Sequence, residues 1–132
     1  MLTGATGFVG QEVLDRLLAR EDRNVHALVR ATDDDAAARR LPGHPRLNAW
    51  AADIERPGLG LDMRRFDELA ERVSTVIHCA ASVSFSLGME ESRRVNVAGT
   101  GRMVELAERC AERGGLERFS YCLLYTSDAA DE

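Results

Sequence analysis

The sequence predicts an α/β fold, a doubly wound parallel sheet with helices on both of its faces. Short apolar segments of strand character alternate along the chain with segments whose apolar residues recur at helical spacing. A glycine-rich segment joins the first strand directly to the first helix. The length of 132 residues, with 45% hydrophobic and 30% charged residues, suits one globular domain rather than several.

The first half of the chain predicts three strands and two helices. The strands are residues 1–3, residues 24–30 (NVHALVR) and residues 47–51. The first helix follows the glycine-rich segment, and its regularly spaced apolar residues are Val9, Val13, Leu14, Leu17 and Leu18. The second is a short solvated helix within residues 31–40, before the loop marked by breakers at 41–45.

The second half predicts two more helices and two more strands. They are a helix marked by Phe66, Leu69 and Val73, a strand at 75–79, a helix from about Glu90 to the C-cap signal Gly114-Gly115, and a strand at 116–121. The long helix is expected to direct five residues toward the core: Val95, Met103, Val104, Ala107 and Cys110. Such alternation predicts parallel strands joined by right-handed crossovers.

Charge and composition exclude several classes of function. The 17 basic and 22 acidic residues give a net charge of −5, which provides no positive footprint for a nucleic acid. No apolar run approaches the roughly 18 residues of a membrane span. Cys79, Cys110 and Cys122 have no close pairing in the sequence, so neither a disulfide framework nor a metal site is predicted. A reducing, cytoplasmic location fits these features best.

The strongest functional signal is the GxxGxxG pattern between the first strand and the first helix. Glycine permits a tight turn and a close approach of backbone to a pyrophosphate, and the first helical turn offers N–H groups and a positive dipole end. The residues predicted to bind a cofactor here are Gly4, Thr6, Gly7, Phe8, Val9 and Gly10. The alternative is a strand-to-helix turn that binds nothing.

Arg30, at the end of the second strand, indicates which cofactor is bound. An acidic residue at this point normally binds the adenosine ribose, whereas an arginine accommodates a 2′-phosphate. No acid stands there in the sequence, and Arg40 can supply a second guanidinium. NADP(H) is therefore favoured over NAD, although both arginines have an alternative interpretation as ordinary surface charges.

Three further groups follow the third and fourth strands. Asp53 and Ile54 are placed to meet an adenine edge and ring. Cys79, Ala80 and Ala81 are small enough for a cofactor to lie against the backbone at the carboxyl edge of the sheet. His78 is interpreted as a strand residue that faces the core rather than as a catalyst.

These motifs resemble, in type and order, those of extended short-chain dehydrogenases over residues 1–121. The matching segments are residues 3–10, Val29-Arg30, Asp53-Ile54, residues 76–85 (VIHCAASVSF) and residues 96–100 (NVAGT). The last two most resemble the thioester-reductase and fatty acyl-CoA reductase branch, with its male-sterility-type NAD-binding domain. The resemblance implies a Rossmann-like fold, NADPH-dependent reduction of an acyl thioester on a small molecule or carrier, and a supporting role for Asn96. A helix-interior asparagine satisfied by the backbone is the alternative.

The family's catalytic tyrosine and lysine have no counterpart. The sequence contains no lysine, since its 17 basic residues are all arginine. Tyr121 and Tyr125 therefore lack the neighbour that lowers a tyrosine pKa, and no catalytic residue is predicted. The polypeptide as written is expected to bind a cofactor without oxidoreductase turnover.

The chain is expected to be partial. At roughly 30 residues per βα unit it holds about four to five units, the nucleotide-binding half of such a protein without its substrate lobe. We therefore predict a partial NADP(H)-binding domain at residues 1–121. Residues 122–132 (CLLYTSDAADE) match the translation of a sequencing-library transposon adaptor, so we expect them to be a foreign tail.

Three functions remain open at this point. They are a fragment of an acyl-thioester reductase, a fragment of a nucleotide-sugar epimerase or dehydratase, and a non-catalytic nucleotide-binding module. Arg30 and the segment that ends in Val83-Ser84-Phe85 favour the first.

Overall fold

Five parallel strands form one sheet in the part of the chain that the structure describes. This structure is a computed structural model, and it describes residues 1–20, 22–81, 86 and 88–122. The strands are β1 (Leu2–Thr3), β2 (Val25–Val29), β3 (Leu47–Ala51), β4 (Thr75–His78) and β5 (Arg118–Tyr121). Their order is β3-β2-β1-β4-β5, so β1 lies at the centre. This arrangement confirms the predicted doubly wound α/β fold.

Helices connect the strands. They are α1 (Phe8–Ala19), α2 (Asp34–Arg39), α3 (Met63–Arg72), α4 (Met89–Arg93) and α5 (Gly99–Arg113), with a 3₁₀ turn at Pro57–Gly60. Aspartates cap two of them: the Asp33 carboxylate accepts from the Ala36 N–H at 2.7 Å, and that of Asp62 accepts from the Arg65 N–H at 2.8 Å. Such caps satisfy N–H groups that have no partner within a helix.

The predicted long helix has an irregular middle. Residues Arg94–Ala98 form a π-helical segment between α4 and α5, and the backbone stays right-handed helical through both junctions. Over five residues, the apolar spacing of a π turn cannot be distinguished from that of an α-helix, so the sequence predicted one regular helix. Single π turns within α-helices are rare overall, but those that occur are often at functional sites.

Each face of the sheet carries its own apolar core. On the face covered by α1, the buried residues are Leu2, Ala5, Leu14, Val25, Ala27, Val29 and Ala37. On the other face they include Leu28, Trp50, Leu59, Leu69, Val76, Met103, Leu106 and Cys110. Alternate residues of β2 enter opposite cores, as the period of a strand requires.

Two apolar residues of the predicted helices are exposed, and one of them, Val104, was predicted for the core. Val9 is 40% exposed because the first turn of α1 adjoins the glycine-rich turn rather than the sheet. Val104 is 43% exposed, and the buried positions on α5 are Met103, Leu106, Ala107 and Cys110. These four repeat at helical spacing, and Val104 falls just outside the stripe.

Ion pairs join α3 to α5. Asp67 accepts from Arg109 Nε at 2.7 Å and from Arg113 at 3.0 Å. The hydrogen bond from Arg109 is the main reason that the pKa of Asp67 lies below its ordinary value. None of the described helices is long and apolar enough to cross a bilayer.

Candidate functional site

The glycine-rich turn is built from backbone in close contact. Gly4 has a φ of +73°, and a Cβ there would lie 2.7 Å from the Cys79 carbonyl carbon. A Cβ on Gly10 would lie 1.7 Å from the Gly4 carbonyl oxygen. Both positions therefore require glycine. At Gly4 a side chain would be disfavoured by the backbone conformation and would clash with Cys79, and at Gly10 it would clash with the Gly4 carbonyl.

The start of α1 is open to solvent. Gly7 is the N-cap residue, has no side chain to cap the helix, and would place a Cβ near only the Gly4 carbonyl oxygen, at 3.3 Å. Phe8 is 96% exposed, and no acidic residue occupies the first turn. Gln11 donates to the Thr6 carbonyl at 3.0 Å, which closes the loop behind the turn. The open N–H groups and dipole of this helix end fit an anion such as a pyrophosphate.

Arg30 and Arg40 lie together at the carboxyl end of β2. Arg40 Nη1 donates to the Arg30 backbone carbonyl, which holds the Arg40 guanidinium at the end of β2. The Arg30 side chain is 74% exposed. Both residues bring guanidinium charge to this open end of the strand, and such charge binds phosphate groups.

Two acidic residues from another part of the sequence lie beside Arg30. Glu55 Oε2 lies 3.1 Å from Arg30 Nη1, and Asp53 Oδ2 lies 3.7 Å from Arg30 Nε. These acids follow β3, which is the neighbour of β2 in the sheet, with Val29 paired to Ala51. The ends of the two strands meet at one edge, although Arg30 and Glu55 are far apart in the sequence.

Asp53 and Ile54 have structural partners. Asp53 Oδ1 accepts from the Glu55 N–H at 2.9 Å, and the Asp53 N–H donates to the Leu59 carbonyl at 2.8 Å. The Ile54 side chain faces Gly99 at the start of α5, where a Cβ would lie 3.0 Å from Ile54 Cδ1. Asp53 also borders a hollow of about 520 Å³ between the ends of β2 and β3. Contact of these two residues with an adenine stays a prediction.

His78 is fully buried and links the glycine-rich turn to α5. Thr3 Oγ1 accepts from the N–H groups of Cys79 and Ala80, both at 3.1 Å. Its own proton is therefore directed to His78 Nδ1, 2.6 Å away. The imidazole then carries its proton on Nε2, which donates to Thr100 Oγ1 at 3.2 Å.

The burial of His78 confirms the prediction that this residue faces the core. Thr100 Oγ1 donates onward to the Asn96 carbonyl at 2.7 Å, which completes a chain from Thr3 to the π-helical segment. Burial lowers the pKa of His78, so the ring is neutral, as its two hydroxyl partners require. Tyr121 stacks on the same ring, with centroids 5.3 Å apart.

Replacing Thr100 by valine is expected to destabilise the protein by about 1–3 kcal/mol, because the buried His78 Nε2–H loses its acceptor. Thr100→Ser keeps the hydroxyl and is expected to retain most of the stability. Urea unfolding of both variants measures the difference. Equal stability of the valine and serine variants would contradict the proton assignment.

The remaining predicted site residues lie around this network. The Thr3 hydroxyl holds the backbone of Cys79 and Ala80 at the end of β4, close to Gly4, and Ala81 follows. Asn96 lies within the π-helical segment. The signal that could have identified the network is the threonine before the first glycine together with the buried histidine of β4.

Two cysteines that are distant in sequence are neighbours in space. The Cys122 N–H donates to the His78 carbonyl at 2.9 Å, which places Cys122 beside the Cys79 thiol. Burial is the main reason that the pKa of Cys79 is raised, and the Cys122 thiol adds to the effect. Distance along the sequence was therefore no guide to the distance between these two cysteines in the fold. Among the described residues, no cluster suited to a metal ion is present.

Two of the predicted segments fall outside the described residues. They are residues 82–85 of the segment resembling the reductases, and residues 123–132, which include Tyr125 and most of the predicted foreign tail.

Comparison with known proteins gives a family match over residues 2–127, to the family described as male sterility protein. The hybrid PKS-NRPS synthetase prlS of a fungal species (strain NRRL 50135) is 36% identical over 120 residues, which cover 90% of this chain and 3% of that protein. The chain thus spans a small part of this curated relative.

Two solved structures are similar in sequence and fold. The terminal R domain of the myxalamid PKS-NRPS biosynthetic pathway is 32% identical, with a TM-score of 0.79 over 91% of this chain and 33% of that one. The reductase (R) domain of a nonribosomal peptide synthetase from Mycobacterium tuberculosis is 34% identical, with a TM-score of 0.70 over 91% of this chain and 32% of that one. The chain therefore spans about a third of each solved domain.

Proposed function

Because the chain belongs to the male sterility protein family of NAD-binding domains, we propose that residues 1–121 are the NADP(H)-binding part of a reductase. The substrate proposed for the whole reductase is an acyl thioester, held on a carrier, and the product is an aldehyde or an alcohol. The similarity to reductase domains of peptide and polyketide synthetases supports this proposal.

One observation carries the proposal: the open start of α1 and the Arg30–Arg40 pair lie along the same edge of the sheet. The glycine turn follows β1 and the arginines follow β2, and these strands are neighbours with Thr3 paired to Leu28. Carboxyl ends of adjacent parallel strands form the crevice in which such folds bind dinucleotides. One anion site for a pyrophosphate and a second for a 2′-phosphate suit NADP(H).

The chain's own residues would bind and orient the cofactor. The N–H groups of Phe8 and Val9 would receive the pyrophosphate, and Arg30 and Arg40 the 2′-phosphate. Asp53 and Ile54 are proposed to border the adenosine, and Cys79, Ala80 and Ala81 the nicotinamide side, with Asn96 in support. A bound NADPH supplies the hydride that reduces a carbonyl.

Two other functions are compatible with the glycine turn. A nucleotide-sugar epimerase or dehydratase would use the same turn, and a non-catalytic module would use it for binding alone. The Arg30–Arg40 pair favours the reductase over these alternatives, since it suits the phosphorylated cofactor that reductions use.

Removal of the Arg30 side chain is expected to weaken NADPH binding by on the order of 1–3 kcal/mol, the contribution of a charge-assisted hydrogen bond. NADH binding is expected to stay unchanged, because NADH lacks the 2′-phosphate. Fluorescence titration of wild type and Arg30→Ala with each nucleotide measures both affinities.

Arg23→Ala is the matched control. Arg23 precedes β2, at the opposite edge of the sheet, and its nearest ion-pair partner is Glu117 at 3.8 Å. The control variant should bind both nucleotides as wild type does. Equal wild-type affinity for NADPH and NADH would refute the cofactor assignment, and no binding of either would refute the proposed function.

A further inference from the structure

Glu55 is a sheltered carboxylate that pairs with two arginines. Its Oε2 lies 3.1 Å from Arg30 Nη1, and its Oε1 lies 3.4 Å from Arg94 Nε. Its N–H donates to Asp53 Oδ1 at 2.9 Å, which fixes the backbone of the loop after β3. The Glu55 side chain is 21% exposed, whereas that of Arg30 is 74% exposed. The carboxylate is therefore the sheltered partner, and Arg30 is the one open to a ligand.

A phosphate that binds Arg30 meets this carboxylate as a competitor. Glu55 pairs with both Arg30 and Arg94, and Asp53 lies 3.7 Å from Arg30 Nε. Arg30 Nη1 already donates to a carboxylate. Binding a phosphate therefore exchanges one anionic partner for another or brings two anions close together, and either reduces the net gain in free energy.

We propose that Glu55 sets how strongly the protein prefers NADP(H) over NAD(H), by competing with the 2′-phosphate for Arg30; this inference rests on the proposed function. Glu55→Gln removes the negative charge and keeps the shape of the side chain, so Arg30 loses its carboxylate partner at 3.1 Å. NADH carries no phosphate at this position, and its affinity does not depend on the competition.

The opposite role predicts the opposite result. If Glu55 served only to hold Arg30 in a binding geometry, its replacement would weaken NADPH binding. The sign of the change in affinity therefore decides between competition and positioning.

The experiment measures dissociation constants of NADPH and NADH by fluorescence titration for wild type and Glu55→Gln. We expect NADPH to bind about three-fold or more tightly to the variant, the scale of one lost ion pair, and NADH to change by less than about two-fold. Higher salt should reduce the difference, because screening weakens all of these charges. Weaker or unchanged NADPH binding would overturn the proposal.

Two additional variants separate this effect from a general change in charge. Glu68→Gln removes an equivalent ion-paired carboxylate, bonded to Arg72 at 2.7 Å on α3, and should leave both affinities unchanged. In the Arg30→Ala background, Glu55→Gln should have less than about half of its effect. An equal gain in both backgrounds would show that Glu55 does not act through Arg30 and would overturn the proposal.

The outcomes distinguish this inference from the function on which it rests. If wild type binds NADPH and Arg30→Ala weakens that binding, while Glu55→Gln changes nothing, only the inference about Glu55 is wrong. If wild type binds neither nucleotide, the proposed function is wrong and the inference is overturned with it.

Discussion

Replacing Gly10 by alanine is expected to prevent normal folding of the domain. The added Cβ would lie 1.7 Å from the Gly4 carbonyl oxygen and 2.4 Å from its carbonyl carbon, and neither backbone atom can rotate away as a side chain can. Either α1 separates from the turn or the turn leaves β1. We expect a loss of at least about 3 kcal/mol, together with loss of nucleotide binding, measured by thermal unfolding and NADPH titration.

Gly101→Ala is the matched control for this prediction. Gly101 lies within α5, and a Cβ added there would meet nothing within 4 Å beyond its own stretch of helix, so alanine should stabilise the helix by about 0.5–1 kcal/mol. Gly7→Ala, with its single contact of 3.3 Å, should keep the fold and impair binding. Wild-type stability and binding in Gly10→Ala would show that the turn is not packed as described.

Acid is expected to begin to destabilise the protein near pH 6.5, above the range in which carboxylates titrate. His26 Nδ1 accepts from the indole N–H of Trp50 at 3.0 Å within the core, and burial is the main reason that the pKa of His26 falls from 6.5 to about 4. Between these two pKa values, His26 therefore binds a proton in the unfolded chain but not in the folded chain. The free energy of unfolding should be highest above pH 6.5. It should fall by about 2–3 kcal/mol as the pH is lowered to 4.5.

His26→Asn tests the source of this slope. The asparagine carbonyl can accept from Trp50 in place of Nδ1, and it does not titrate. Urea unfolding at pH 7 and pH 4.5 should show a smaller loss of unfolding free energy in the variant than in wild type. The loss that remains should come from His78, whose pKa is also lowered by burial. A difference as large as in wild type would contradict the assignment to His26.

Most of the fold could be predicted because its signals are local. The strand segments, the helical spacing of Leu14, Leu17 and Leu18, and the glycine turn each occupy a few consecutive residues, and all appear in the structure. Errors arose where the face of a helix had to be chosen. Val104 is apolar, but the stripe that faces the sheet passes through Met103 and Leu106.

The parts of the site that were not predicted depend on contacts across strands. Glu55 reaches Arg30 only because β2 and β3 are neighbours in register, which the strand order fixes and the sequence does not state. The hydroxyl partners of His78 are 75 and 22 positions away, on β1 and α5. The predicted contacts with a cofactor, from Gly4 to Asn96, remain predictions.

The central position of β1 has a consequence for the order of folding. β1 has two residues, yet it pairs with β2 on one side and β4 on the other, and its bond from Thr3 to His78 spans 75 positions. The neighbours β2 and β3 can pair without it, whereas the glycine turn is set only when this distant closure is complete. We therefore expect the anion site to be among the last features to form. A nucleotide that binds there recognises the fully assembled sheet, and so acts as a ligand of the native state as a whole.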